Sequence, residues 1–244
     1  MSPPLADRIA LVTGASRGIG YAAALALAKA GAHIVALART VGGLEELDDA
    51  VKAAGGSATL VPLDLKDYAG IDRLGGAIYE RWGKLDMMVG NAGVLGPISP
   101  LGHIDEKPFD EVFAVNVTAN WRLIRSFDPL LRASDAGRAV FVSSGAARKG
   151  AAYWGLYGAS KAALEALVRA YAAETVNITP VRAMLFNPGP IRTGMRASAM
   201  PGEDPLTLKT PDDLVPHLLR FLSPQSQETG QLYDFPTESI IRFG

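Results

Sequence analysis

At 244 residues the chain is about 1.6 times a typical domain of roughly 150 residues, a length that one large α/β domain satisfies as readily as two small ones. Hydrophobic residues make up 48% and charged residues 20%, too apolar for a disordered chain and with too many dispersed charges for a multi-pass membrane protein. Lys and Arg number 24 against 25 Asp and Glu, so no global field recruits nucleic acid or an anionic membrane, and the lack of cysteine excludes disulfides, thiolate nucleophiles and Cys-based metal sites.

The opening MSPPLADR has no basic n-region, apolar core or cleavage site, which predicts a cytoplasmic protein. Strand-like runs follow at Ile9–Thr13, His33–Ala38, Ala58–Leu63, Leu85–Val89, Ala139–Ser143, Val181–Phe186 and Gln231–Phe235. Helical periodicity separates most of them: Gly18–Ala30, Leu44–Ala54, Ile71–Trp82, Phe109–Leu131, Tyr157–Thr175 and Leu214–Leu222. The apolar stretch Tyr21–Ala38 is broken by Lys29, Gly31 and His33, which suits a helix and then a strand rather than a membrane span. Alternating strands and helices predict βαβ units, and runs such as IALV and RAVFV predict strands covered on both faces. The expected fold class is therefore α/β: a single doubly wound Rossmann-type domain over residues 1–244, with a parallel sheet of about seven strands and helices on both faces. The least regular segment, 194–210, is expected to be a loop or lid over the substrate.

Between the first strand and the first helix lies Thr13-Gly14-Ala15-Ser16-Arg17-Gly18-Ile19-Gly20. Backbone N–H groups at such a helix start, and the helix dipole, can hold a pyrophosphate. The Gly-xxx-Gly-x-Gly spacing differs from G-x-G-x-x-G, so placement carries the reading. Gly14 to Gly18 also satisfies G-x-S-x-G, the nucleophile elbow of hydrolases, for which His217 would have to complete a triad; an elbow on the first strand leaves no earlier loop for the oxyanion hole. After the second strand an acidic residue would bind a ribose 2′-hydroxyl and a basic one a 2′-phosphate. Ala38-Arg39-Thr40 supplies no carboxylate there, and Arg39 with Arg17 favours NADP(H), with NAD(H) possible.

Taken together, TGASRGIG at 13–20, Asn91-Ala92-Gly93, Ser144, Tyr157-xxx-Lys161 and Asn187-Pro188-Gly189 resemble the short-chain dehydrogenase/reductase motifs, in that family's order. The resemblance implies a coenzyme site built from Gly14, Ser16, Arg17, Gly18, Ile19 and Gly20 at the pyrophosphate. It places Asp64 and Leu65 near the adenine, and Asn91, Ala92 and Gly93 beside the nicotinamide ribose. Pro188, Gly189, Ile191 and Thr193 would lie along the carboxamide. It further implies that Lys161 binds the ribose, that Asn116 holds a water in a proton relay, and that the chain forms a homo-oligomer, a dimer or tetramer. The ending Asp234-Phe-Pro-Thr-Glu-Ser-Ile-Ile departs from the family's pattern.

The chemistry of Tyr157 and Lys161 follows from their spacing, because residues four apart on a helix share a face. A cation about 4 Å from a phenol at an effective dielectric of about 20 is worth about 4 kcal/mol, roughly three pK units, so the pair is expected to bring the phenol towards about 7–9. Such a phenol donates a proton to a carbonyl oxygen or takes one from an alcohol, and Ser144 would hydrogen-bond the same oxygen. The expected partner is a small carbonyl or alcohol substrate, with no nucleic acid and no membrane. The three histidines, at 33, 103 and 217, are scattered, so no metal site is expected. A rival reading keeps the nucleotide site but makes the chain a binding regulator or scaffold; the Ser144, Tyr157 and Lys161 set argues for the enzyme, since a binding module needs no activated phenol.

Overall fold

The computed structural model describes residues 3–243, so Met1, Ser2 and Gly244, the ends of the expected domain, lie outside the described residues. Seven strands are parallel: β1 (Ile9–Thr13), β2 (His33–Ala38), β3 (Ser57–Pro62), β4 (Met87–Gly90), β5 (Arg138–Val142), β6 (Arg182–Asn187) and β7 (Leu232–Asp234). Among the described residues the sheet has eight strands rather than about seven. The added one, β8 (Ser239–Ile241), runs antiparallel to β7 at the sheet edge. It arises from the atypical C-terminal segment, where a 3₁₀ turn at Phe235–Thr237 and Glu238, at φ +48°, reverse the chain.

Strand order is β3-β2-β1-β4-β5-β6-β7-β8. The connection leaves β1 towards β2 on one side and later returns to β4 on the other, so the loops after β1 and β4 diverge and open a crevice at the carboxyl ends of the strands. β1 is buried along its whole length. Its side chains alternate between two cores: Ala10 and Val12 join the layer that holds Leu27, Leu47 and Phe221, while Ile9 and Leu11 join the layer of Ile78, Phe127 and Val168. That alternation is the period-2 geometry of a strand sandwiched between helical layers. The first layer is built by α1 (Gly18–Lys29), α2 (Val41–Ala53) and α9 (Pro211–Leu222), and the second by α3 (Tyr68–Trp82), α5 (Ala119–Ala133) and α7 (Gly155–Thr175).

Two expected elements differ in ways that bear on function. The helix predicted over Phe109–Leu131 is α4 (Glu106–Phe113) and α5 joined by a π-helical turn at Ala114–Thr118, centred on Asn116. The segment 194–210 is not a structureless loop. It holds α8 (Gly194–Ala199), a 3₁₀ turn at Pro205–Thr207 and a parallel bridge from Ile191 to Lys209. The Thr193 hydroxyl caps α8 by accepting from the Arg196 N–H at 3.2 Å. A one-turn helix, α6 (Ala146–Lys149), follows β5. No described helix is long and apolar enough to cross a membrane.

Candidate active site

A cleft of about 880 Å³ lies where β1, β2, β4, β5 and β6 end. Its first wall is the turn between β1 and α1. Gly14 and Gly18 adopt φ of +66° and +59°, the left-handed region that a side chain disfavours. Ser16, Arg17, Gly18 and Ile19 face the cleft with them, and α1 has no acidic residue in its first turn to compete with an anion for the positive end of its dipole. Gly20 does not line the cleft. A Cβ there would meet the Gly14 carbonyl oxygen at 2.4 Å, so its contribution is to let α1 pack close under the turn. Arg39 lines the cleft at the end of β2, and among the described residues neither it nor Arg17 is ion-paired.

The second wall hangs on a residue that spacing alone did not single out. The Thr13 hydroxyl accepts from the backbone N–H groups of Asn91 (3.0 Å) and Ala92 (3.1 Å) and donates to the Val89 carbonyl (3.3 Å), while the Asn91 side chain donates back to the Thr13 carbonyl at 2.9 Å. These bonds fix the Asn91-Ala92-Gly93 turn against the glycine-rich turn. Asp64 and Leu65 also face the cleft, as do Pro188, Gly189, Ile191 and Thr193 opposite. Gly189 is steadied by its N–H donating to the Asn187 side chain at 3.1 Å, and Asn187 in turn donates to Asp234 at 2.6 Å. The divergent C-terminal segment is thus tied to the Pro188-Gly189 turn.

At the far end Ser144, Tyr157 and Lys161 come together on the cleft surface. Tyr157 and Lys161 are buried, one turn apart on α7. The geometry corrects the expected tuning of the phenol. Lys161 donates to the Val142 carbonyl at 2.8 Å and sits 5.8 Å from the centre of the tyrosine ring. Burial then dominates and pushes the Tyr157 phenol up to about 12, against a smaller downward pull from the Ser144 hydroxyl. Burial also lowers Lys161 to about 8, with Glu165 one turn on opposing the drop. Glu165 is itself buried; the Ser143 hydroxyl donates to it at 2.5 Å, holding the serine turn to α7, and burial raises its carboxyl above the ordinary range.

A stability cost follows. The ammonium of Lys161 is favoured in the unfolded chain up to 10.5 but in the folded one only to about 8, so the penalty is full below about pH 8 and fades as the pH rises towards 10.5. Lys161→Met should therefore raise the unfolding free energy at pH 7 by about 1–2 kcal/mol after the lost Val142 bond is counted, with the gain shrinking at pH 10. Urea unfolding at the two pH values checks this.

Asn116 is buried in the π-turn between α4 and α5. It does not line the cleft: its Oδ1 accepts from the Val94 N–H at 2.8 Å, and its Nδ2 donates to the Val94 carbonyl at 2.9 Å and the Ser160 hydroxyl at 3.0 Å. In the π-turn the Ala119 N–H donates to the Ala114 carbonyl, and the Asn120 side-chain amide donates to the Asn116 carbonyl at 2.9 Å. Asn116 therefore braces the loop carrying Val94 against α7. His217 does not complete a hydrolase triad either: it lies outside the cleft, 2.7 Å from the Tyr233 hydroxyl.

Comparison with known proteins identifies the family. The family model described as short chain dehydrogenase matches residues 8–204. The chain is 39% identical over 234 residues to the uncharacterized oxidoreductase YciK of Escherichia coli K12, covering 94% of this chain and 92% of that one. It superposes on a short chain dehydrogenase from Salmonella enterica serovar Typhi with a TM-score of 0.92 at 38% identity, over 96% of this chain and 98% of the other. A chain from Escherichia coli CFT073, solved as a complex with NADPH, gives a TM-score of 0.89 at 38% identity over 96% and 98%. From its opening glycine-rich turn to the buried tyrosine and lysine of α7, the chain belongs to the short-chain dehydrogenase family.

Proposed function

We propose that the protein is an NADP(H)-dependent oxidoreductase that interconverts a carbonyl group and a secondary alcohol, with Tyr157 as the acid and base. The observation that carries this reading is the layout of one cleft: Arg17 and Arg39, two cations without an ion pair among the described residues, stand at one end, and the Ser144, Tyr157 and Lys161 set stands at the other. The cradle fits a dinucleotide, because the backbone at Gly14 and Gly18 carries no side chain, beside a helix start without carboxylates. NADPH in the Escherichia coli CFT073 relative supports the same choice.

In this reading the turn after β1 holds the pyrophosphate, and Arg17 with Arg39 clamps the 2′-phosphate. Asp64 and Leu65 border the adenine. Asn91, Ala92 and Gly93 support the nicotinamide ribose, to which Lys161 donates, and the Pro188–Thr193 segment holds the carboxamide. When bound, the nicotinamide supplies the hydride in reduction and takes it up in oxidation. Ser144 donates a hydrogen bond to the substrate oxygen, and Tyr157 delivers its phenolic proton to that oxygen or removes one from the alcohol. Burial of the phenol keeps bulk water from competing for the proton. Segment 194–210 covers the substrate. Exposed Phe109 and Trp121, on α4 and α5, offer apolar surface for the homo-oligomer that the family resemblance implies.

NADPH consumption across a panel of ketones and aldehydes, run beside NADPH binding followed by its fluorescence, tests the proposal. Turnover with at least one class is expected. Tight NADPH binding with no consumption on any member would make the protein a nucleotide-binding module instead.

A further inference from the structure

We propose that the substrate is an uncharged carbonyl compound with an apolar body, and that Glu203 enforces this by holding the Arg196 guanidinium away from the substrate; the inference rests on the oxidoreductase reading above. Among the described residues, six charged side chains border the cleft: Arg17, Arg39, Asp64, Lys161, Arg192 and Arg196. The first three stand after β1, β2 and β3, at the end assigned to the adenosine and its phosphate. Lys161 is buried beside Tyr157 and engaged with the Val142 carbonyl. Among the described residues that leaves Arg192, just before segment 194–210, and Arg196 within it for a charged substrate.

Both are committed to partners in segment 194–210. Arg192 donates to the carbonyls of Pro205 (2.7 Å) and Leu208 (3.3 Å). Arg196 forms a two-pronged pair with Glu203, at 2.5 and 2.6 Å, and both partners are partly buried. A planar guanidinium held at both prongs by one carboxylate has little left to offer a second anion. The wall near Ser144 and Tyr157 also includes Val94, Leu95, Trp154, Met195 and Ala199, and the Ser198 hydroxyl on α8 already donates to the Gly194 carbonyl at 3.0 Å, so a substrate carboxylate or phosphate there would lose water for little return. The Arg196–Glu203 pair is thus a specificity device as well as a latch that closes α8 onto the turn behind it. A neutral lid admits a neutral ligand; removing the glutamate charge leaves an arginine aimed at the cleft.

The test compares benzaldehyde with its para-carboxylated form on the coenzyme-loaded protein, reading affinity from tryptophan fluorescence and kcat/KM from NADPH consumption. The wild type should prefer the neutral aldehyde by about tenfold or more, the scale of one hydrogen bond to a charged group. Glu203→Gln should shift that ratio about tenfold towards the carboxylated aldehyde. The double variant Arg196→Gln with Glu203→Gln should return the neutral preference, which separates charge from any loosening of the lid. Equal affinity for the two aldehydes in the wild type, no binding of the neutral one, or a ratio unmoved by Glu203→Gln overturns the inference. Selective binding of the neutral aldehyde without NADPH consumption upholds it and counts against the oxidoreductase reading alone.

Discussion

Replacing Tyr157 with phenylalanine should lower kcat for carbonyl reduction by about 10²–10⁴-fold, the contribution of a positioned proton donor, while NADPH affinity stays nearly unmoved. The change removes one oxygen from a ring that is already buried, with Trp154 edge-on at 6.1 Å, so no void opens and the fold is retained. The phenol at about 12 keeps its proton throughout the neutral range in the coenzyme-free protein. It is therefore charged with a proton to give, as reduction requires. The tyrosinate absorbance of the wild type minus that of the Phe variant should accordingly show no ionisation below pH 10. Ser144→Ala retains the donor but removes the hydroxyl that draws the phenol down; it should cost about 10²-fold and move the phenol higher still. A Tyr157→Phe enzyme with more than about a tenth of wild-type kcat would place the proton on another group.

Periodicity and punctuation made the architecture legible. The bounds of β1 and β2 match their apolar runs residue for residue, because each is a short β-rich segment flanked by turn residues. β8 escaped notice because Ser239-Ile-Ile is too short to show a period, and its pairing depends on the chain reversing at Glu238. The cleft was legible where backbone geometry dictates residue type: glycines at positive φ and a tyrosine and lysine one turn apart are written into the sequence. What stayed hidden are the interactions made by tertiary contact. Thr13 to Asn91, Ser143 to Glu165 and Arg196 to Glu203 join residues whose pairing no local spacing announces. Asn116 is the instructive case. Asparagine has low helix propensity and sits in a π-turn here, while its side-chain partners, Val94 and Ser160, are far away in sequence. The phenol shows the same limit on energetics, since spacing put the ammonium on the right face but could not reveal that a carbonyl engages it or how strongly burial acts.

Coenzyme choice should reverse when the two cations at the other end of the cleft are removed. Arg17→Ala with Arg39→Ala should weaken NADPH by about 10²-fold or more, since each charge-assisted contact to a phosphate contributes about 1.5–3 kcal/mol, and should leave NADH affinity within a small factor. Both side chains are exposed and make no ion pair among the described residues, so their removal breaks no internal network and the loss reports on the coenzyme phosphate. The glycine-rich turn does not distinguish the two coenzymes, because its N–H groups meet the pyrophosphate that both carry. Raising the salt concentration should weaken NADPH more than NADH in the wild type and about equally in the double variant, because exposed charges are screened within about 10 Å at 0.1 M ionic strength. Dissociation constants for both coenzymes at two salt concentrations decide the matter. Equal losses for NADPH and NADH would mean that the arginines serve the pyrophosphate or the turn itself, and that selectivity at the ribose comes from the backbone after β2.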